Sequence, residues 1–178
     1  KYKIRFNIYT IKLDSFDKLV LNHENYPSMP VKTAILMSCA LPPMFKPVLY
    51  NGSYYIDGGI ICNYPIVDCI LRNKNIDEIS GLHVCSGTAE KSTYSDDVSM
   101  PDYSLILVGI LVKHMQKQNY IPDVNEIVIK SKYNANNINA WKALLDDKDR
   151  EGMFTQGIEL AKEYIIKQTL KIGQECQH

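Results

Sequence analysis

No sign of charge dominates this chain: among 178 residues, 20 basic side chains are matched by 20 acidic ones. A nucleic-acid partner selects a strongly basic face, so the balance excludes nucleic acid as the expected partner and gives no overall electrostatic pull toward an anionic membrane. Arginine is scarce. Arg5, Arg72 and Arg150 are the complete set, which leaves few planar forks for bidentate phosphate recognition. Long apolar runs are missing too. The longest, LILVGILV at Leu105–Val112, falls far short of the roughly 20 residues that cross a bilayer, so no transmembrane helix is expected, and no signal peptide is read in these residues. Metal-ligand spacing is also absent. Cys39, Cys62, Cys69, Cys85 and Cys176 form no CxxC pair with a histidine partner. They are expected as buried free thiols of a reducing, cytoplasmic compartment, with neither a zinc site nor a disulfide framework. No calcium-loop pattern of the DxDxDG kind occurs, and neither a metal nor another cofactor is expected.

What is present suffices for one core, since 46% of the residues are hydrophobic. KIRFNIYTIKL (residues 3–13) alternates polar and apolar side chains as a half-buried strand does, and FDKLVLNHENYP adds a second short strand ending in a turn. A helix is expected through MPVKTAILMSCALPPMF, opening at Pro30 and stopped by Pro42-Pro43. Asn51-Gly52 is the type I′ hairpin signal between two β-prone runs. YPIVDCILRNKN reads as a helix from Pro65 with Ile66, Ile70 and Leu71 on one face, and EISGLHVCSG as a buried strand. The polar stretch Thr88–Asp102 reads as a loop, YSLILVGILVKHMQKQ as a helix, VNEIVIKSK as a strand and MFTQGIELAKEYIIKQTL as an amphipathic helix. Strands alternating with helices predict an α/β layered fold.

One short run bears chemistry. In Tyr55-Ile56-Asp57-Gly58-Gly59 a carboxylate ends an apolar strand, and the two glycines let the chain turn at φ values that other residues avoid. A strand's carboxyl end is where α/β folds place their sites. The plainer reading of the same five residues is an aspartate capping a turn.

The surrounding sequence resembles the second signature block of the patatin-like phospholipases. In Ala34–Ile66 the matching residues are Ser38, Ala40, Pro42, Phe45, Pro47, Gly52, Asp57, Gly58, Gly59, Asn63 and Pro65. The Gly-x-x-x-Ala spacing in MFTQGIELAKEYI is similar to the helix that closes many such domains. The resemblance implies a patatin-like three-layer α/β/α fold with a central, mostly parallel sheet. It also implies an esterase that cleaves lipid acyl esters with a serine and an aspartate and no histidine. Asp57 would be the base, and Gly58 and Gly59 the turn that shapes the site. A serine hydroxyl needs such a base to lose its proton as it attacks. An aspartate, ordinarily near pKa 3.9, needs an apolar setting to become a stronger one. Ile56, Ile60 and Ile61 supply apolar neighbours in sequence. His23, His83, His114 and His178 match no family position.

The family's nucleophile sits in a Gly-x-Ser-x-Gly elbow behind a glycine-rich oxyanion loop, and neither pattern occurs here. Ser86-Gly87 lacks the first glycine and follows the aspartate. Ser38 and Ser53 are read as structural. Residues 1–178 are therefore expected to be the C-terminal portion of a single patatin-like domain, beginning at Lys1 because the N-terminal part is absent, and inactive alone. Apolar surface should then be exposed where the absent segment pairs, with that segment or a second copy as partner. Phospholipid or another acyl-ester lipid is the expected substrate. Tyr103–Met115 is expected in the core, with peripheral membrane contact as the alternative. A catalytically inactive module that binds lipid or protein is the competing class.

Overall fold

The structure, a computed structural model, describes residues 4–73, 75–86, 98–115, 124–131 and 145–175. Six strands are present among them: β1 (Ile8–Lys12), β2 (Asp17–Leu21), β3 (Val48–Tyr50), β4 (Ser53–Asp57), β5 (Ser80–Ser86) and β6 (Asn125–Ser131). The helices are α1 (Val31–Ser38), α2 (Ile66–Arg72), α3 (Met100–Met115) and α4 (Asp147–Glu175). The expected α/β class is borne out, with the strands divided between two sheets. One is antiparallel, in the order β2-β1-β4-β3, and the other is the parallel pair β5-β6. The chain forms two compact units, Lys1–Pro65 with Tyr103–Asn119, and Ile66–Asp102 with Tyr120–His178.

In the first unit the period-two pattern of β1 puts Ile8 and Thr10 on one face and Ile11 on the other. Ile8, Leu21 and Tyr55 pack with Ala34 and Met37 of α1. Full burial of Met37 contributes about 1.5–3 kcal/mol. On the opposite face Ile11, Ile56 and Ile60 form a second cluster, onto which Leu41, Ile61 and Val112 of α3 pack. The β3–β4 hairpin closes as its turn chemistry requires, with Asn51 at φ 47° and Gly52 at φ 79°. Pro30 precedes α1 in an extended conformation, and the helix stops at Ser38, ahead of Pro42-Pro43.

In the second unit α4 begins six residues before its expected start, because Asp146 accepts a hydrogen bond from Asp149 N–H at 3.1 Å and opens the first turn. Gln156 and Gln168 of α4 donate to Lys130 O at 3.2 Å and Asn125 Oδ1 at 3.1 Å, tying the helix to β6. Two expectations fail locally. Leu71 is exposed, since it lies about 100° round the helix from Ile70 while Ile66 and Ile70 share a face. Cys39, which caps the end of α1, is exposed, and Cys62, Cys69 and Cys85 are half-buried and in no disulfide. Of the expected loop, residues 88–97 lie outside the described residues, and Met100–Asp102 already belong to α3. Cys176, His178 and the end of the expected α3 at 116–118 also lie outside them. No helix among the described residues is long and apolar enough to cross a membrane.

Candidate functional site

Asp57 is the last residue of β4, and its backbone is pinned on both sides. Its N–H donates to Ala40 O at 3.1 Å, just beyond α1, and it lies opposite Thr10 in the β1–β4 register. Thr10 is completely buried and donates its hydroxyl to Ile56 O at 2.7 Å. A buried hydroxyl that spans 46 positions to the residue before Asp57 fixes where β4 ends. Sequence reasoning missed Thr10, because only the strand register brings it beside the motif. Thr10→Val keeps the shape and removes the donor from the Ile56 carbonyl, so it should lower stability by about 1 kcal/mol. Chemical denaturation checks this, and a variant as stable as wild type would show that the bond is dispensable.

After Asp57 the chain enters a single 3-10 turn, Gly58–Ile60, and the Asp57 side chain accepts from Gly59 N–H at 2.7 Å. Neither glycine is there, as the sequence suggests, for unusual φ; among the described glycines the positive φ belongs to Gly52, and Gly58 is needed for space. A Cβ on Gly58 would lie 2.5 Å from the carbonyl carbon and oxygen of Tyr9 and 2.8 Å from Thr10 N. Strand β1 passes too close for any side chain there. A Cβ on Gly59 would sit 3.0 Å from Asp57 Oδ1 and 3.2 Å from Asn63 Oδ1. The Asn63 carboxamide and the Asp57 carboxylate therefore border the same α-carbon, and Asn63 joins Asp57, Gly58 and Gly59 at one place.

Burial pushes the Asp57 carboxyl above its ordinary value of 3.8, and the hydrogen bond from Gly59 opposes that rise. The apolar neighbours foreseen in sequence are present: Ile56 and Ile60 are buried and Ile61 packs against them. A native carboxyl that holds its proton more tightly than the unfolded chain stabilises the fold in its neutral form. That contribution is complete below pH 3.8 and is lost as pH rises through the folded value. Asp57→Asn removes the cost of an ionised buried carboxylate while Oδ1 can still accept from Gly59. The variant should be at least as stable as wild type at neutral pH, and its stability should lack the wild-type decline above pH 3.8. Urea midpoints measured from acid to neutral pH check the sign, and a variant that is weaker at neutral pH contradicts it.

Ser38 ends α1, Ser53 opens β4 and Ser86 ends β5. His23 lies 3.9 Å from Glu24, while His83 lies within 3.8 Å of the Cys85 sulfur on β5. No group of three or more metal-ligating side chains occurs among the described residues. In α3, Val112 reaches the core while Leu107 and Leu111 are exposed.

A hairpin ending in a carboxylate, a double glycine and an adjacent asparagine thus meet at one turn. Residues 3–70, which include Asp57, match the model of the patatin-like phospholipase family, and over them the chain is patatin-like. Two viral proteins are similar over more of its length. One, "Probable lipid hydrolase 463L" of Invertebrate iridescent virus 6, is 26% identical over 166 residues, 93% of this chain and 48% of its own length. The other, an uncharacterized protein of Acanthamoeba polyphaga mimivirus, is 28% identical over 148 residues, 79% of this chain and 48% of its own. The chain thus spans about half the length of the curated relatives it matches.

Proposed function

We propose that this chain supplies the general base of a lipid acyl hydrolase, a phospholipase A-type esterase working through a serine and an aspartate. Asp57 is the base, and the observation that carries the reading is its setting: a half-buried carboxylate at a strand end, made more basic by burial and held by the Gly59 N–H. The patatin-like match over residues 3–70 and the name of the iridescent virus relative support a lipid ester as substrate. The nucleophilic serine lies on a Gly-x-Ser-x-Gly segment outside these 178 residues, and residues 1–178 form the C-terminal portion of one patatin-like domain.

The chemistry follows from the two groups. Asp57 takes the proton of the serine hydroxyl as its oxygen bonds to the acyl carbon. Collapse of the tetrahedral intermediate breaks the bond to the alcohol, which leaves with the proton held by Asp57. Water then attacks the acyl-serine, Asp57 takes its proton, and the serine recovers that proton as the fatty acid is released. A base without a nucleophile forms no acyl-enzyme, so the 178-residue chain alone should release no fatty acid from phosphatidylcholine, whereas the protein carrying the serine should. Fatty-acid release assays on both forms test this, and turnover by the chain alone would refute the placement of the nucleophile.

A further inference from the structure

Asparagines in turns ordinarily bond to nearby main chain. Asn22 Oδ1 accepts from the N–H groups of Glu24 and Asn25, Asn73 Nδ2 donates to Cys69 O, and Asn75 Oδ1 accepts from Asp77 N–H. The Asn63 carboxamide does none of this: among the described residues its side chain makes no hydrogen bond. Turn chemistry therefore does not account for it. What Asn63 borders is Asp57. The place a Gly59 Cβ would take lies 3.0 Å from Asp57 Oδ1 and 3.2 Å from Asn63 Oδ1, so only the space of an absent methyl separates the two side chains. Local folding makes this meeting. Ile61 and Cys62 N–H both donate to Gly58 O, at 3.2 and 3.0 Å, and turn the chain back so that Asn63 returns to Gly59. Asp57 Oδ1 accepts from Gly59 N–H, which leaves Oδ2 to carry protons.

We propose that Asn63 is a catalytic residue of deacylation, its Oδ1 accepting a hydrogen bond from the attacking water while Asp57 removes the water's other proton. This role rests on Asp57 being the base. Water brings two protons to the acyl-serine. Asp57 takes one, and holding the second fixes the direction of the oxygen lone pair that bonds to the acyl carbon. A carboxamide oxygen accepts that bond without taking the proton. The acyl–serine bond then breaks, the serine oxygen recovers the proton from Asp57, and the second proton leaves on the fatty acid. In acylation the leaving oxygen carries no such second proton, so that step does not call on Asn63.

p-Nitrophenyl butyrate separates the two steps in the serine-bearing protein, because nitrophenolate leaves without a proton and its initial burst reports acylation. Asn63→Leu removes the acceptor at similar size. Its burst should keep the wild-type rate while steady turnover falls about tenfold and acyl-serine accumulates. Gly59→Ala should show the same split, because its methyl would push apart two side-chain oxygens that are free to move. Asn63→Asp keeps an acceptor oxygen and should recover most of the turnover above its acid limb, which the added charge moves to higher pH. A burst slowed as much as turnover, or turnover unchanged in Asn63→Leu, overturns the role. Asp57→Asn distinguishes this failure from failure of the base. Loss of both phases in Asp57→Asn with neither lost in Asn63→Leu removes Asn63 alone, whereas an Asp57→Asn protein that loses neither phase removes both residues from the reaction.

Discussion

Replacing Asp57 with asparagine should reduce ester hydrolysis by the serine-bearing protein about 10²–10⁴-fold while leaving the fold intact. The carboxamide is isosteric and can accept from Gly59 N–H as the carboxylate does at 2.7 Å, but it cannot take a proton from a serine. The loss should fall mainly on kcat, because a proton-transfer interaction is made in the transition state and not in the bound substrate. The wild-type acid limb should lie above pH 3.8, since a general base acts unprotonated and burial raises the pH at which this carboxyl loses its proton. Steady-state kinetics of both forms across pH decide the matter. Equal rates would demote Asp57 to a turn cap, and a variant that loses hydrolysis only by unfolding would leave its chemistry without support.

Gly58→Ala should have the largest effect on stability. The atoms an added methyl would meet are main-chain atoms of Tyr9 and Thr10, at 2.5 to 2.8 Å, and no rotamer change moves them. Either β1 parts from β4 where Thr10 faces Asp57, or the turn shifts, and either route costs about 3 kcal/mol. That is a large part of the roughly 5–15 kcal/mol by which domains are stable. Two comparisons separate crowding from loss of a glycine as such. Gly52→Ala meets open space and suffers only its positive φ, a cost of about 1–2 kcal/mol. Gly152→Ala also meets open space, inside α4, and should gain about 0.5–1 kcal/mol. Denaturation midpoints should therefore fall in the order Gly152→Ala, wild type, Gly52→Ala, Gly58→Ala. A Gly58→Ala protein as stable as wild type would mean that the strands are not packed this closely.

Features written in local chemistry were legible in the sequence. Asn51-Gly52 announces its hairpin because two consecutive positive φ values are needed and these residues tolerate them. That Asp57 ends a strand and begins a turn was legible in the apolar run before it and the two glycines after it, and Ile56 and Ile60 as neighbours through simple adjacency. Features that depend on distant segments were not. The need for glycine at 58 comes from Tyr9 and the fixing of β4 from Thr10, both on a strand far away in sequence. Hydrophobic periodicity likewise marks an apolar helix without saying which side meets the protein. Hence Cys39 and Leu71, expected inside, emerged outside. The division of strands into an antiparallel sheet and a parallel pair is also a matter of pairing, which alternation within single strands does not encode.

The most direct test of the account is peptide mapping by mass spectrometry after treatment with a serine-reactive fluorophosphonate, on the wild type and Asp57→Asn side by side. The account predicts an adduct on a serine outside residues 1–178, formed much more slowly when Asp57 is asparagine. An adduct on a serine within these residues, or labelling that proceeds equally in both proteins, would contradict it.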